Sequence, residues 1–196
     1  QGIFLEGMGR GRFLPPLGSG YPLGKGRFQD FLGINYYSRD KIQFAWNPQE
    51  LFAKRLVAKK APTNNLGWEI YPKGISLLAR RLWKTYRLPI FITENGTCDR
   101  EDVFRPQFIY DHLKEVASLI ASGIPIQRYY HWTFIDNFEW IEGESAPFGL
   151  FANDYQTQKR TWRKSAEFYQ EICKKKAITE KMIQKYLNTE AYKPLS

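Results

Sequence analysis

The chain has 196 residues, 43% of them hydrophobic and 16% aromatic, and a formal net charge of +9. That composition excludes a disordered polymer, and no run approaches the ~18 consecutive apolar residues of a membrane span. Two cysteines, Cys98 and Cys173, are too few for a disulfide framework and match no metal-ligand spacing, so neither a metal nor another cofactor is expected.

Much of the positive charge lies near the ends, at Arg10, Arg12, Lys25 and Arg27 and again at Lys159, Arg160, Arg163 and Lys164. Spread this way it reads as a solvated surface and not as a nucleic-acid recognition element. Reduced thiols fit a cytoplasmic protein. The sequence opens on Gln1, without Met, which together with the element count below suggests a fragment.

Residues 1–30 are rich in Gly and Pro, keep no hydrophobic period, and read as loop. Phe31 to Tyr37 (FLGINYY) reads as a buried strand, and 38–72 as a long connection broken by Pro48, Pro62 and Asn64-Asn65. Ile75, Leu78, Ala79, Leu82 and Tyr86 then form one apolar stripe at helical spacing. Pro89 follows that helix, and Ile90 to Glu94 (IFITE) is a short, almost wholly apolar strand.

Pro106 opens a second helix, whose stripe includes Phe108, Ile109, Leu113, Val116 and Ile120, and Gly123 stops it. Ile126 to Phe134 is the third strand, Lys164 to Lys174 the last amphipathic helix, and the tail from Ala177 is polar and only partly helical. Apolar strands alternating with helices mean α/β architecture, a parallel sheet covered by helices. Three strands cannot close a barrel, and a complete (β/α)8 barrel takes about 250 residues. The 196 residues therefore look like the last part of a single, larger catalytic domain, with a loop at 1–30, a barrel part at 31–175 and a polar tail at 176–196.

In such barrels chemistry gathers at the carboxyl ends of strands. One strand end here carries Asn35-Tyr36-Tyr37, another Thr93-Glu94-Asn95-Gly96, and the third runs from Trp132 to Asp136, Glu139 and Trp140. A carboxylate closing an apolar strand is costly to bury unless it is paired or used. Glu94 is thus either a helix-capping or Arg-binding group or a functional one. Two Trp and a Glu within nine residues fit a sugar, whose C–H faces stack on rings while paired hydroxyls donate to one carboxylate. A Trp-rich core with a surface Glu fits the same pattern.

Ile92-Thr93-Glu94-Asn95-Gly96 (ITENG) resembles the nucleophile motif of glycoside hydrolase family 1, the β-glucosidases. FLGINYY resembles that family's sixth strand, and Trp132 to Trp140 (WTFIDNFEW) its eighth-strand sugar-binding segment, with Phe148-Gly149-Leu150 following in order. The resemblance covers about residues 30–175 and implies the C-terminal part of a (β/α)8 TIM barrel carrying the sixth to eighth strands.

It also implies roles. Glu94 would attack the anomeric carbon and form a covalent glycosyl-enzyme. Tyr37 would hydrogen-bond that carboxylate, with Asn35 beside it in the pocket floor. Trp132 would form the floor of the sugar site, Glu139 would accept from the 4- and 6-hydroxyls, and Trp140 would touch the same part of the ring. Trp68 would stack on the leaving-group side. Glu139 argues for an unphosphorylated β-linked glycoside, since a phosphate would face like charge.

The family's acid lies in an Asn-Glu-Pro segment, and none occurs here. Asp136 and Glu142 are spare carboxylates, and Asp136 suits holding the loop. The chain therefore reads as half of a β-glucosidase site, inactive alone and completed by the missing N-terminal part of the barrel or by a second copy. A sugar-binding pseudoenzyme is the alternative. Glu144-Ser145-Ala146-Pro147 departs from the more basic stretch usual before the FGL triplet.

Overall fold

The computed structural model describes residues 2–56 and 61–187. Its centre is a parallel sheet of three strands, β1 (Leu32–Asn35), β4 (Ile90–Asn95) and β5 (Ile126–His131), in the order β1-β4-β5. Helix α2 (Lys73–Tyr86) follows β1 in the chain and α3 (Arg105–Ala121) follows β4, each returning the chain to the next parallel strand. Only crossovers of this length join parallel neighbours.

The two faces of the sheet differ sharply. Leu32, Ile34, Ile90, Ile92 and Ile126 are buried together with Ile75 and Ala79 of α2 and Val116 and Leu119 of α3. On the opposite face Phe31 stacks on Phe91 at 4.2 Å, and the Arg128 guanidinium lies 5.5 Å from the same ring. Gly33, Asn35 and Tyr130 are exposed there. Successive strand residues alternate faces, so one set of residues meets the helices and the next set faces the open side.

A second cluster packs α3 against α4 (Lys164–Lys175) and α5 (Glu180–Tyr186) through Ile109, Leu150, Phe168, Met182 and Tyr186. Asp99 accepts from the Phe104 and Arg105 backbone N–H at 2.8 Å each, and Asp102 accepts from Ser165 N at 2.8 Å. Two carboxylates thereby satisfy the first amides of α3 and α4. The fully buried Arg105 joins them, ion-paired to Asp102 and donating to the carbonyls of Asp99 (2.8 Å) and Pro147 (3.0 Å).

Several expectations need correction. Residues 1–30 are not all loop, because Gly2–Arg10 form helix α1. Its three glycines disguise the period, and the helix is held by tertiary contacts: Leu5 packs on the sheet core and Glu6 accepts from Tyr86 at 3.2 Å. The connection 38–72 contains an antiparallel hairpin, β2 (Lys41–Phe44) with β3 (Ala53–Leu56). The first strand is shorter than 31–37, and the third ends at His131 instead of Phe134. In the tail, Thr179 caps α5, and Met182 and Tyr186 bury its inner face; residues 188–196 lie outside the described residues. A further antiparallel pair, β6 (Phe151–Asn153) with β7 (Arg160–Trp162), precedes α4.

Candidate active site

The carboxyl end of β4 delivers Glu94. The strand reaches that point because Ile90 and Ile92 are buried on the helix side while the ladder to both neighbours shifts register near its end. The Tyr37 hydroxyl donates to Glu94 Oε2 at 2.5 Å. Burial and the hydrogen bond to Glu94 push the Tyr37 phenol well above its usual range, so it stays a donor. Asn35 sits on the same open face, its Oδ1 accepting from Thr93 Oγ1 at 2.6 Å.

Around this pair lies an aromatic wall. The Trp68 ring meets Tyr37 edge-on at 6.2 Å and Phe148 at 5.9 Å, and Phe148 meets Tyr37 at 6.0 Å. Trp132 packs into the same cluster beside buried Cys98 and Ala146. The Cys98 thiol is pushed up to about 11 by burial, which leaves it a neutral packing group and not a nucleophile. Trp68 is held by Asn64, whose Oδ1 accepts from the backbone N–H of Leu66 (2.9 Å) and Trp68 (3.0 Å).

Glu139 arrives on the long loop after β5. Its Oε1 accepts from Trp132 Nε1 at 2.9 Å. Burial raises its carboxyl above the ordinary range; hydrogen bonds from Trp132 and Asn137 oppose that rise, and the negative charge of Glu94 adds to it. The loop's base is fixed by Asp136, which holds Arg163 through two bonds of 2.9 and 2.8 Å and accepts from Gly149 N at 2.7 Å. Asp136 is thus a loop anchor.

Tyr37, Glu94, Trp68 and Trp132 come together in and around one cluster, with Glu139 tied to it through Trp132 and Asn35 beside it on β1. Trp140 differs: it is 83% exposed on a short 3-10 turn. Sequence reasoning passed over Phe148 as a ring of the wall and Asn95 as a buried crosslink. The ITENG and FGL motifs contained both, but neither residue type announces a tertiary partner. Among the described residues, no group of three or more His, Cys, Asp or Glu is arranged to hold a metal ion, and no helix is long and apolar enough to cross a membrane.

Comparison with known proteins gives the family of the chain. Residues 25–178 match the model of Glycosyl hydrolase family 1. The chain is 34% identical over 161 residues to a beta-galactosidase of Sulfolobus acidocaldarius and 36% identical over 166 residues to that of Saccharolobus solfataricus. These matches cover 78% and 81% of this chain but only 33% and 34% of the relatives, so the chain spans about a third of their length. The structure superposes on a beta-glycosidase from Pyrococcus horikoshii with a TM-score of 0.80 and 34% identity, over 98% of this chain and 45% of that one. A beta-glucosidase from Thermotoga maritima in complex with glucoimidazole gives 0.69 and 31%, over 76% and 35%. The chain belongs to glycosyl hydrolase family 1, and its parallel strands and covering helices are part of that family's (β/α)8 barrel.

Proposed function

We propose that this chain carries the nucleophile and sugar-recognition half of a retaining β-glycosidase acting on terminal, unphosphorylated β-D-glycosides. β1, β4 and β5 serve as the sixth, seventh and eighth strands of the barrel. The observation that carries the reading is the 2.5 Å bond from Tyr37 to Glu94 at a strand's carboxyl end. Glu94 attacks the anomeric carbon and the glycosidic C–O bond breaks, giving a covalent glycosyl-enzyme that water then hydrolyses. Tyr37 aims the carboxylate, and Asn35 lies beside it in the pocket floor.

Trp132 and Trp140 offer rings to the sugar, and Glu139 accepts from its 4- and 6-hydroxyls, while Trp68 serves the leaving-group side. The acid that protonates the leaving oxygen comes from outside these 196 residues, which contain no Asn-Glu-Pro segment. Without it the chain alone turns over poorly, since losing general acid catalysis costs about 10²–10⁴-fold.

Two apolar grooves support a docking role for the rest of the barrel. One of about 430 Å³ runs along edge strand β5, lined by Tyr130, Phe134, Phe151 and Tyr169, and one of about 310 Å³ along edge strand β1, lined by Leu32, Ile34 and Leu78. Unpaired edges of this kind call for further strands, supplied by the remainder of the barrel or by a second copy of the chain. Free Cys98 and Cys173 fit a reducing, cytoplasmic setting.

Glu94→Gln in the complete barrel tests the reading. The variant is expected to fold and to lose turnover of an aryl β-glucoside, because an amide cannot serve as the nucleophile. Wild-type turnover in that variant would refute the assignment. Sugar binding without turnover by the unsubstituted complete barrel would favour a pseudoenzyme.

A further inference from the structure

The residue next to Glu94 is fully buried and polar, and its side chain faces away from the site. Asn95 has no exposed surface. Its Nδ2 donates to the Tyr36 carbonyl at 2.6 Å, and its Oδ1 accepts from the Tyr129 hydroxyl at 2.7 Å. One amide therefore joins the carboxyl end of β1, the end of β4, and β5.

The crosslink sits where the regular ladder fails. Register shifts between Ile34 and Asn35 on one side of β4, and between Ile92 and Asn95 on the other. At such a shift the ladder skips a backbone group before pairing resumes, and a buried carbonyl without a donor is costly. The Asn95 amide supplies that donor. Backbone bonds flank it, Tyr36 N to the Glu94 carbonyl and Trp132 N to the Asn95 carbonyl, both 2.9 Å.

Two bonds thus run back to back between the same two chain segments. Tyr36 and Asn95 are joined behind the sheet, and Tyr37 and Glu94 in front of it. Neighbouring residues in a strand point to opposite faces. A shift of the rear pair therefore moves the front pair with it. The Tyr36 ring is pinned independently, its hydroxyl donating to the Tyr71 carbonyl at 2.6 Å. Trp132 is drawn in separately, its backbone N–H donating to the Asn95 backbone carbonyl, a bond that does not involve the Asn95 side chain.

We propose that Asn95, with Tyr129 as its support, is a positioning residue: its buried crosslink sets the distance and angle between Tyr37 and Glu94. The proposal rests on the reading of Glu94 as nucleophile. Neither Asn95 nor Tyr129 touches the substrate in this account. The effect belongs in the geometry of attack, where a misplacement of about 1 Å can cost on the order of 100-fold.

The test compares Asn95→Ala, Tyr129→Phe and the double variant in the complete barrel, with Glu94→Gln in parallel. Asn95→Ala is expected to lower kcat about 10–100-fold, and Tyr129→Phe about 3–10-fold, by loosening the attack geometry. KM should stay within about threefold, because the substrate contacts remain. The double variant should be no worse than Asn95→Ala, as expected of two groups in one network. Unchanged kcat with only the unfolding temperature lowered, or a loss in KM in place of kcat, would overturn the proposal, as would additive effects of the two changes. If Asn95→Ala fails to fold, Tyr129→Phe, which removes one oxygen, decides the matter alone. Activity surviving in Glu94→Gln would refute the nucleophile reading itself, separately from the crosslink.

Discussion

The Glu94 and Glu139 sides of the site are built on different principles. Glu94 stands at the end of a central strand, bonded to Tyr37, with the neighbouring Asn95 crosslinked to both flanking strands. Glu139 hangs on a loop that is anchored at its base and open at its tip. The base has the Asp136–Arg163 pair and the Gly149 bond, whereas Phe138 is 63%, Trp140 83% and Ile141 97% exposed at the tip. The contrast fits a division of labour. A reacting group needs sub-ångström placement and gains from a rigid strand. A recognition loop needs a fixed root and can leave its tip open to the ligand.

Breaking the root of the loop is expected to have the largest effect. Asp136→Ala leaves the part-buried Arg163 guanidinium and the Gly149 N–H without their carboxylate, at a cost of about 3–5 kcal/mol. Thermal unfolding measures it. Activity surviving at permissive temperature should show a higher KM before a lower kcat, because the recognition side loosens first. A fall in kcat alone would mean that the two sides are not separable.

Glu139→Ser sharpens the same distinction from the substrate's side. On the proposed reading of Glu139 as the acceptor for two sugar hydroxyls, the change should cost about 2–4 kcal/mol in kcat/KM with little change in stability. A substrate lacking both the 4- and 6-hydroxyls should be nearly indifferent to the change. An equal loss with that substrate would assign Glu139 another task.

Acid should reach the Glu94 side from behind. His112 is fully buried on α3, its Nδ1 2.8 Å from the Phe108 carbonyl, and burial holds its pKa down at about 4. His131 closes β5, lowered to about 3 by burial and then by the charges of Arg105 and His112. Both pKa values lie below the unfolded one, so the unfolded state binds more protons between about pH 6.5 and the folded values. Their stabilising contribution is complete above pH 6.5 and is lost as the pH falls. By pH 5 the loss is about 2 kcal/mol for each histidine. Unfolding followed from pH 7 to 5 measures the slope, and His112→Gln should flatten it. An unchanged slope in that variant would remove His112 from the account.

The hairpin β2–β3 should show the smallest effect. Phe44, Trp46 and Phe52 form a small ring cluster there, yet Trp46 is 87% exposed. Trp46→Ser should change stability by less than about 0.5 kcal/mol. A larger loss would show that the hairpin is tied into the core.

The sequence made the Glu94 side more legible than its surroundings. Apolar runs ending in Asn35-Tyr36-Tyr37 and in Glu94 mark buried parallel strands with chemistry at their ends, and a motif of adjacent residues survives without any knowledge of packing. Tertiary partners were harder to read. Nothing in Asn95 or Tyr129 points across the 34 residues that separate them, nor in Asp136 to Arg163, because such bonds exist only once strands and loops are side by side. Helix α1 escaped notice because its glycines oppose helix propensity and tertiary contacts hold it, among them those with Tyr86, Thr85 and the sheet core. The hairpin's alternation at Lys41-Ile42-Gln43-Phe44 was visible, but its apolar residues face outward and so point to no core.

The central claim, that Glu94 becomes glycosylated, is open to direct measurement. A 2-deoxy-2-fluoro β-glucoside with an activated leaving group departs without help from an acid and slows hydrolysis of the intermediate. Incubated with the complete barrel and followed by peptide mass analysis, it should label the IFITENG segment at Glu94 in a one-to-one ratio, with activity lost in step. Labelling of Glu139 or Asp136 instead, or steady turnover of the parent glycoside with no covalent adduct at Glu94, would contradict the account.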